Sequence, residues 1–332
     1  MAALDIFNGD AFSVQSLTKA LNDVPHQPTR LGELGYFSVE GITTTMVSIE
    51  KQGTSLALVP AGERGGVVKP GLKDKRTMIP FKCVHLPQNG GVNADEVQNL
   101  RTFGSESELE SVQNLVNKEL RRIRRNLDAT LEFQRMGAVK GQILDADGTT
   151  VLLDLYSTFG VSQQTHSLIL GTAGTKVRIK VVEAKRKVEA ALGGLAYSGL
   201  RVLCSPSFFD ALVGHATVEA AFDRYQNGEF LRADLRAGFY FAGVFWEEYR
   251  GNVNGIDFIE AGSAYMIPEG VPDLFVMNFA PADYMETVNT MGIPMYAKQE
   301  PRAMNKGVDI DAQSNPLTLC TRPAAIVKLT VV

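Results

Sequence analysis

Cysteine is scarce in this chain of 332 residues. Cys83, Cys204 and Cys320 stand far apart and are odd in number, which excludes a small disulfide scaffold and fits a reducing cytoplasm. Long apolar runs are missing as well. The longest, Ala237 to Trp246, holds ten residues between Arg236 and Glu247, where a bilayer-spanning helix needs about 20. Met1-Ala2-Ala3-Leu4-Asp5 has no basic region ahead of an apolar stretch and does not read as a signal peptide. Neither sign of charge dominates: 33 Lys and Arg against 37 Asp and Glu leave a net −4. That balance gives no general attraction to DNA or to anionic membranes. The expectation is a soluble protein with no membrane partner.

The familiar signatures of catalysis are absent too. No Gly-x-x-x-x-Gly-Lys-Ser/Thr loop is present to cradle a triphosphate. There is no Gly-x-Ser-x-Gly elbow and no His-Glu-x-x-His zinc helix. The four histidines, His26, His85, His166 and His215, are scattered. Cys83-x-His85 offers two ligands where a structural zinc needs four. Asp145-x-Asp147-Gly148 resembles the start of a calcium loop, but its glycine comes too early and Tyr156 stands where a bidentate Glu belongs. Ser16-Leu17-Thr18-Lys19 matches Ser-x-x-Lys without its companion motifs. Asp309 and Asp311 share one strand face, and two solvated carboxylates on an edge are the plain reading. The expectation is no catalytic residue, no metal and no cofactor.

What is present is enough apolar material for a core, 45% of residues with 21% charged, and a length that suggests two lobes at about 150 residues each. Residues 1–50 read as an arm, broken by Asn8-Gly9-Asp10, Pro25 and Pro28, before a β-branched strand over Ile42–Glu50. Residues 51–100 are rich in glycine and proline, and between 51 and 82 seven basic residues face two acids. Thr77, Ile79, Phe81 and Cys83 alternate as in a strand. This pattern predicts a long two-stranded ribbon with a basic tip, which has little to bury on its own chain because an isolated hairpin is marginal in water. Its partner is expected to be another subunit.

Residues 105–138 predict a single helix about 45–50 Å long. Ser105 can cap it, Leu109, Val112, Val116, Leu120, Ile123, Leu127 and Leu131 form one apolar stripe, and Gly137 and Gly141 offer the stop. A hairpin turning at Asp147-Gly148 follows, then a polar, mobile connection over 160–176 and a helix from Lys180 to Leu192 ending at Gly193-Gly194. Beyond 195 the pattern is α+β. A strand spans Leu200–Cys204, and a helix capped by Ser205-Pro206 runs towards Tyr225. Further strands are expected over Phe239–Tyr249, Ile256–Ala261, Val271–Phe279 and Ala325–Val332. Four arginines, Arg121, Arg122, Arg124 and Arg125, surround Ile123. They could form a solvated face with partners such as Glu119 and Asp128, bridge to acids of a neighbouring subunit, or contact phosphate without sequence preference.

An arm, a basic ribbon, a strut helix and an α+β lobe, in that order, resemble one architecture: the tailed-phage major capsid proteins of the lambda-like E family, with the HK97-type shell fold. The ribbon tip Lys69-Pro70-Gly71-Leu72-Lys73-Asp74-Lys75 with Met78-Ile79-Pro80 resembles that family's extended loop. Gly137-Ala138-Val139-Lys140-Gly141 is similar to its spine-helix exit. Residues 238–251, from Gly238-Phe239-Tyr240 to Tyr249-Arg250-Gly251, resemble its central-lobe strand. Ile267-Pro268-Glu269-Gly270 and residues 309–317, Asp309-Ile310-Asp311 to Pro316-Leu317, also have counterparts, whereas 157–176 has none.

The resemblance implies an α+β, HK97-like capsid fold with four parts: an N-terminal arm (1–50), an extended β-ribbon loop (51–100), a spine helix with peripheral domain (101–195, joined by a C-terminal strand 311–332) and an axial domain (196–310). It implies a structural subunit of an icosahedral bacteriophage head, assembling with itself into hexamers and pentamers around double-stranded DNA. A scaffold or protease, a portal and a decoration protein would be partners, assembly would occur in the host cytoplasm, and the mature place would be the virion. Arg64, Lys69, Lys73, Lys75 and Arg76 are then expected at contacts between subunits, with no covalent crosslink through Lys69 or Lys75. Arg121, Arg122, Arg124 and Arg125 would be salt-bridging or DNA-facing. The alternatives are an encapsulin-like cellular shell and a soluble α+β enzyme.

Overall fold

The period-3.6 stripe does form one helix. In the computed structural model, which describes residues 13–23, 29–51, 77–98, 108–223 and 235–332, the helix runs without a break from Glu108 to Lys140. Its 33 residues correspond to about 50 Å. Val116, Leu120, Ile123, Leu127 and Leu131 are all buried, so the stripe is a core face. The expected cap, Ser105, lies outside the described residues. The helix stops at Gly141, whose φ of +82° suits a residue without a Cβ. Gly137 lies inside the helix instead, packed over Ile143.

The chain divides into two units. The first gathers the described residues of Met1–Val47, Lys82–Arg135 and Val276–Leu319. In it, Leu86–Asn93, Gly307–Ser314 and Tyr296–Pro301 form an antiparallel sheet with Gly307–Ser314 in the middle. Asp309 and Asp311 therefore sit on a central strand and not on an edge. Each is engaged: Arg302 Nε donates to Asp309 at 2.6 Å, and the Tyr284 hydroxyl donates to Asp311 at 3.1 Å. The helix Val14–Asp23, within the segment expected as an arm, docks on the sheet of its own chain. Leu17 and Leu21 are buried, Thr18 exchanges hydrogen bonds with Ala297, and Asn22 donates to Met295 O. A second three-stranded sheet orders Phe37–Gly41, Phe275–Phe279 and Pro316–Cys320.

The second unit gathers the described residues of Ser48–Phe81, Met136–Phe275 and Cys320–Val332. Its core is a six-stranded sheet in the order Gln164–Ser167, Val327–Thr330, Ser263–Glu269, Gly199–Cys204, Val244–Glu248, Phe239–Phe241. Ser263–Glu269, paired on both sides, is buried at every position but its last. The helix Val177–Leu192 is stopped by Gly193 as its sequence predicts. Ser205 caps the next helix, its hydroxyl accepting the Phe208 N–H. That helix ends at Val213, however, and Gly214-His215 separates it from Ala216–Asp223, so one expected helix is two.

Two further expectations change. The expected strand Phe239–Tyr249 is a hairpin folded at Ala242-Gly243, pairing Tyr240 with Phe245. The connection 160–176, expected to be mobile, contains the edge strand Gln164–Ser167, parallel to Val327–Thr330. Its polar sequence carries no period-2 signal, because an edge strand is held by its backbone ladder. The hairpin at Asp147-Gly148 forms as expected, and the Asp147 carboxylate accepts from the backbone of Thr149 and Thr150. The Thr150 hydroxyl also donates to it at 2.6 Å, and that bond first, with the two from the backbone, holds it below the usual carboxylate range. All three cysteines are free.

Candidate functional site

Among the described residues no group of His, Cys, Asp and Glu could hold a metal ion, and no helix is long and apolar enough to cross a membrane. Cys83-x-His85 is an ordinary structural pair. His85 Nδ1 lies 2.7 Å from Asn315 Oδ1, and burial pushes the Cys83 thiol up to about 11. The chemistry at hand is that of surfaces.

The first surface is the base of the ribbon. Met46–Lys51 pairs with Thr77–Lys82 in a sheet that, among the described residues, has two strands only. The Cys83 N–H donates to Thr45 O at 3.0 Å where the stem closes. The alternation expected from sequence is real: Phe81 points inward, its ring centroid 5.6 Å from that of Phe159, whereas Met78 and Pro80 are exposed. Met46 is 54% and Met78 69% exposed, large values for side chains with no polar atom to hydrate. The five cations expected at subunit contacts, Arg64, Lys69, Lys73, Lys75 and Arg76, lie outside the described residues.

A second surface went unnoticed in the sequence. The loop from Tyr284 to Gly292 exposes Met285, Val288 and Met291 together. It is held firmly from below. Tyr284 is buried with its hydroxyl on Asp311, Thr287 donates to Ala282 O at 2.7 Å, and Thr290 donates to Thr287 O at 2.7 Å. The Gly292 N–H donates to Ile42 O at 2.9 Å, and its α-carbon passes so close to Phe279 O that a Cβ has no room. Three apolar side chains held out in water on a fixed loop are of the kind that partners cover. Its one trace in the sequence is the spacing Met-x-x-Val-x-x-Met.

The arginine cluster divides in two. Arg124 lies against the fold, bonded to Asp128 at 3.1 Å and to Leu21 O at 3.1 Å. Arg122 clasps Glu119 through Nε and Nη2. Arg121 and Arg125 are exposed, with no ion pair among the described residues.

This architecture has known relatives. The sequence matches the family described as phage major capsid protein E over residues 13–331. The chain belongs to that family. Two relatives span almost the same length. The major capsid protein of Pseudomonas phage KPP10 is 30% identical, with 96% of each chain covered, and that of Salmonella phage Felix O1 is 26% identical, with 95% of each covered. The fold is also that of the cyanophage P-SCSP1u capsid structure, with a TM-score of 0.51 at 12% identity, covering 93% of this chain and 89% of the other. The E-family chain is thus an α+β, HK97-like capsid protein, a structural subunit that associates with its own copies into the shell of a phage and resides in the virion capsid.

Proposed function

We propose that the subunits close into hexamers and pentamers of an icosahedral head that encloses double-stranded DNA without sequence specificity. A scaffold or protease, a portal and a decoration protein take part, assembly proceeds in the host cytoplasm, and the chain works by binding and not by catalysis. The unit that carries the helix Glu108–Arg135 takes the peripheral place, since that helix is the spine. The unit that carries Phe239–Glu248 takes the axial one, since that hairpin resembles the central-lobe strand. The proposed parts are the arm at 1–50, the extended loop at 51–100, the spine helix and peripheral domain at 101–195 with the C-terminal strand 311–332, and the axial domain at 196–310.

The observation that supports this most directly is the stem: two strands, with Met46 and Met78 facing out. A two-stranded ribbon is marginal by itself and gains cover only against another surface. Arms and ribbons laid over neighbours add contact area beyond what one globular face supplies, and many modest linked contacts multiply. Arg64, Lys69, Lys73, Lys75 and Arg76 would then meet the acidic surface of a neighbour. Deletion of 66–76 tests this. We expect no closed particles by electron microscopy, while the purified subunit unfolds at the wild-type temperature. Normal particles from the deleted chain would overturn the role given to the ribbon.

A further inference from the structure

The long helix has a second face that its core stripe does not explain. Between Asn114 and Asn126 the exposed residues are Asn114, Asn117, Lys118, Arg121, Arg122, Arg125 and Asn126. None of these is acidic and none is apolar. The one acid on this stretch, Glu119, holds Arg122, and just beyond it the buried Asp128 holds Arg124. Among the described residues Lys118, Arg121 and Arg125 have no ion pair; spaced by three and four residues, they stand one above another on a single face. Seven residues of helix separate the first from the last, about 10 Å.

We propose that Lys118, Arg121 and Arg125 form a contact for the phosphate backbone of the packaged duplex, independent of base sequence. The proposal deepens the shell reading, on which it rests, by assigning a DNA-facing surface to this helix.

Composition selects the occupant. The core of a protein–protein contact is depleted in lysine and built on apolar and aromatic side chains. The loop with Met285, Val288 and Met291 has that character, and the strip does not. Surfaces that meet DNA are polar and strongly positive. A duplex carries one negative charge per about 1.7 Å of axis, so a strip about 10 Å long meets several phosphates in any register. Each of its three cations can pair with a phosphate whatever base lies beside it. A chain with net charge −4 would hold DNA weakly through such a strip, as a shell that must also release its genome requires.

The test uses the full-length, unassembled subunit and a mixed-sequence duplex of about 20 base pairs, read by fluorescence anisotropy across a salt series. Combined Lys118→Gln, Arg121→Gln and Arg125→Gln should lower the magnitude of the salt slope by about 2.7, about 0.9 for each cation. Arg122→Gln should change it little, since Arg122 is already neutralised by Glu119. Glutamine is a good helix former at exposed positions, so circular dichroism should be unchanged, and both variants should still yield closed particles by electron microscopy. The inference is overturned if the triple variant keeps the wild-type slope, or if Arg122→Gln weakens binding as much as the triple change. Loss of particles with duplex binding unaltered also overturns it, by assigning the strip to an acidic face of a second copy. If the wild-type chain forms no particles, the shell reading fails separately.

Discussion

Ser263–Glu269 and Thr77–Lys82 are strands of nearly equal length with opposite surroundings. The first has a partner on each side, Gly199–Cys204 and Val327–Thr330, and is buried from Ser263 to Pro268. Among the described residues the second has one partner, Met46–Lys51, and it turns Met78 and Pro80 to water. Among the described residues the chain thus completes one β-core with its own segments and leaves the other with an open side. A monomer designed for its own stability would cover Met46 and Met78. A subunit of a shell keeps such surface for its neighbours, so stability of the fold and competence to assemble should respond to different residues.

The strongest way to break that separation is to damage the finished core. Trp246 is fully buried, stacked at 6.4 Å on Phe208, and its Nε1–H donates to Phe241 O at 3.1 Å. Trp246→Ala should cost about 3–5 kcal/mol, a large fraction of a typical domain's stability. Thermal unfolding of the soluble subunit should fall sharply, and particles should be lost with it. If the variant unfolds at the wild-type temperature, the second unit is not the self-sufficient element of the comparison.

A smaller effect is expected at Arg201, which bridges two carboxylates across the same sheet, Glu247 at 2.6 Å and Glu269 at 2.7 Å. Glu247 is buried, so removing this cation from beside it is costly. Breaking a buried pair costs about 3–5 kcal/mol, and the partial exposure of Glu269 brings the expectation to about 2–3 kcal/mol. Arg201→Met, followed by urea denaturation, measures it. A second change, Glu247→Gln in the same background, should restore part of the loss, since it removes the stranded charge. No rescue would place the cost in lost packing over Phe245, on which the guanidinium sits at 4.4 Å.

Local, periodic features were legible in the sequence. Val116, Leu120, Ile123, Leu127 and Leu131 announce their helix because one face of it is core, and Ser205-Pro206 and Gly193 mark helix ends by chemistry that needs no distant partner. Gln164–Ser167 was hidden because its partner, Val327–Thr330, lies more than 150 residues away and the strand buries little. The turn at Ala242-Gly243 was hidden because apolar residues flank it on both sides, so the run reads as one strand. Exposure was the least legible property. Met285, Val288 and Met291 could equally have been core residues by type, and only the hydrogen bonds beneath the loop hold them out. The arginine cluster was visible as a group, but which members find a partner among the described residues depends on where Glu119, Asp128 and Leu21 O come to lie.

The sharpest form of the comparison comes from the change expected to disturb the fold least. Met46→Ser with Met78→Ser alters two side chains at the base of the ribbon that touch water over more than half their surface. Exposed substitutions of this kind stay within about 0.5 kcal/mol, so the unfolding temperature of the isolated subunit should hardly move. In a shell the same two side chains would be covered by a neighbour. Each buried methylene contributes about 0.8 kcal/mol, and the loss repeats at every copy of the contact. Particle yield, scored by sedimentation and electron microscopy, should therefore drop although the subunit is as stable as before. A fall in subunit stability of more than about 1 kcal/mol would show that the methionines serve their own chain, and unchanged particles would leave the outer side of the stem in solvent. Either result would remove the contrast between the completed sheet and the open one.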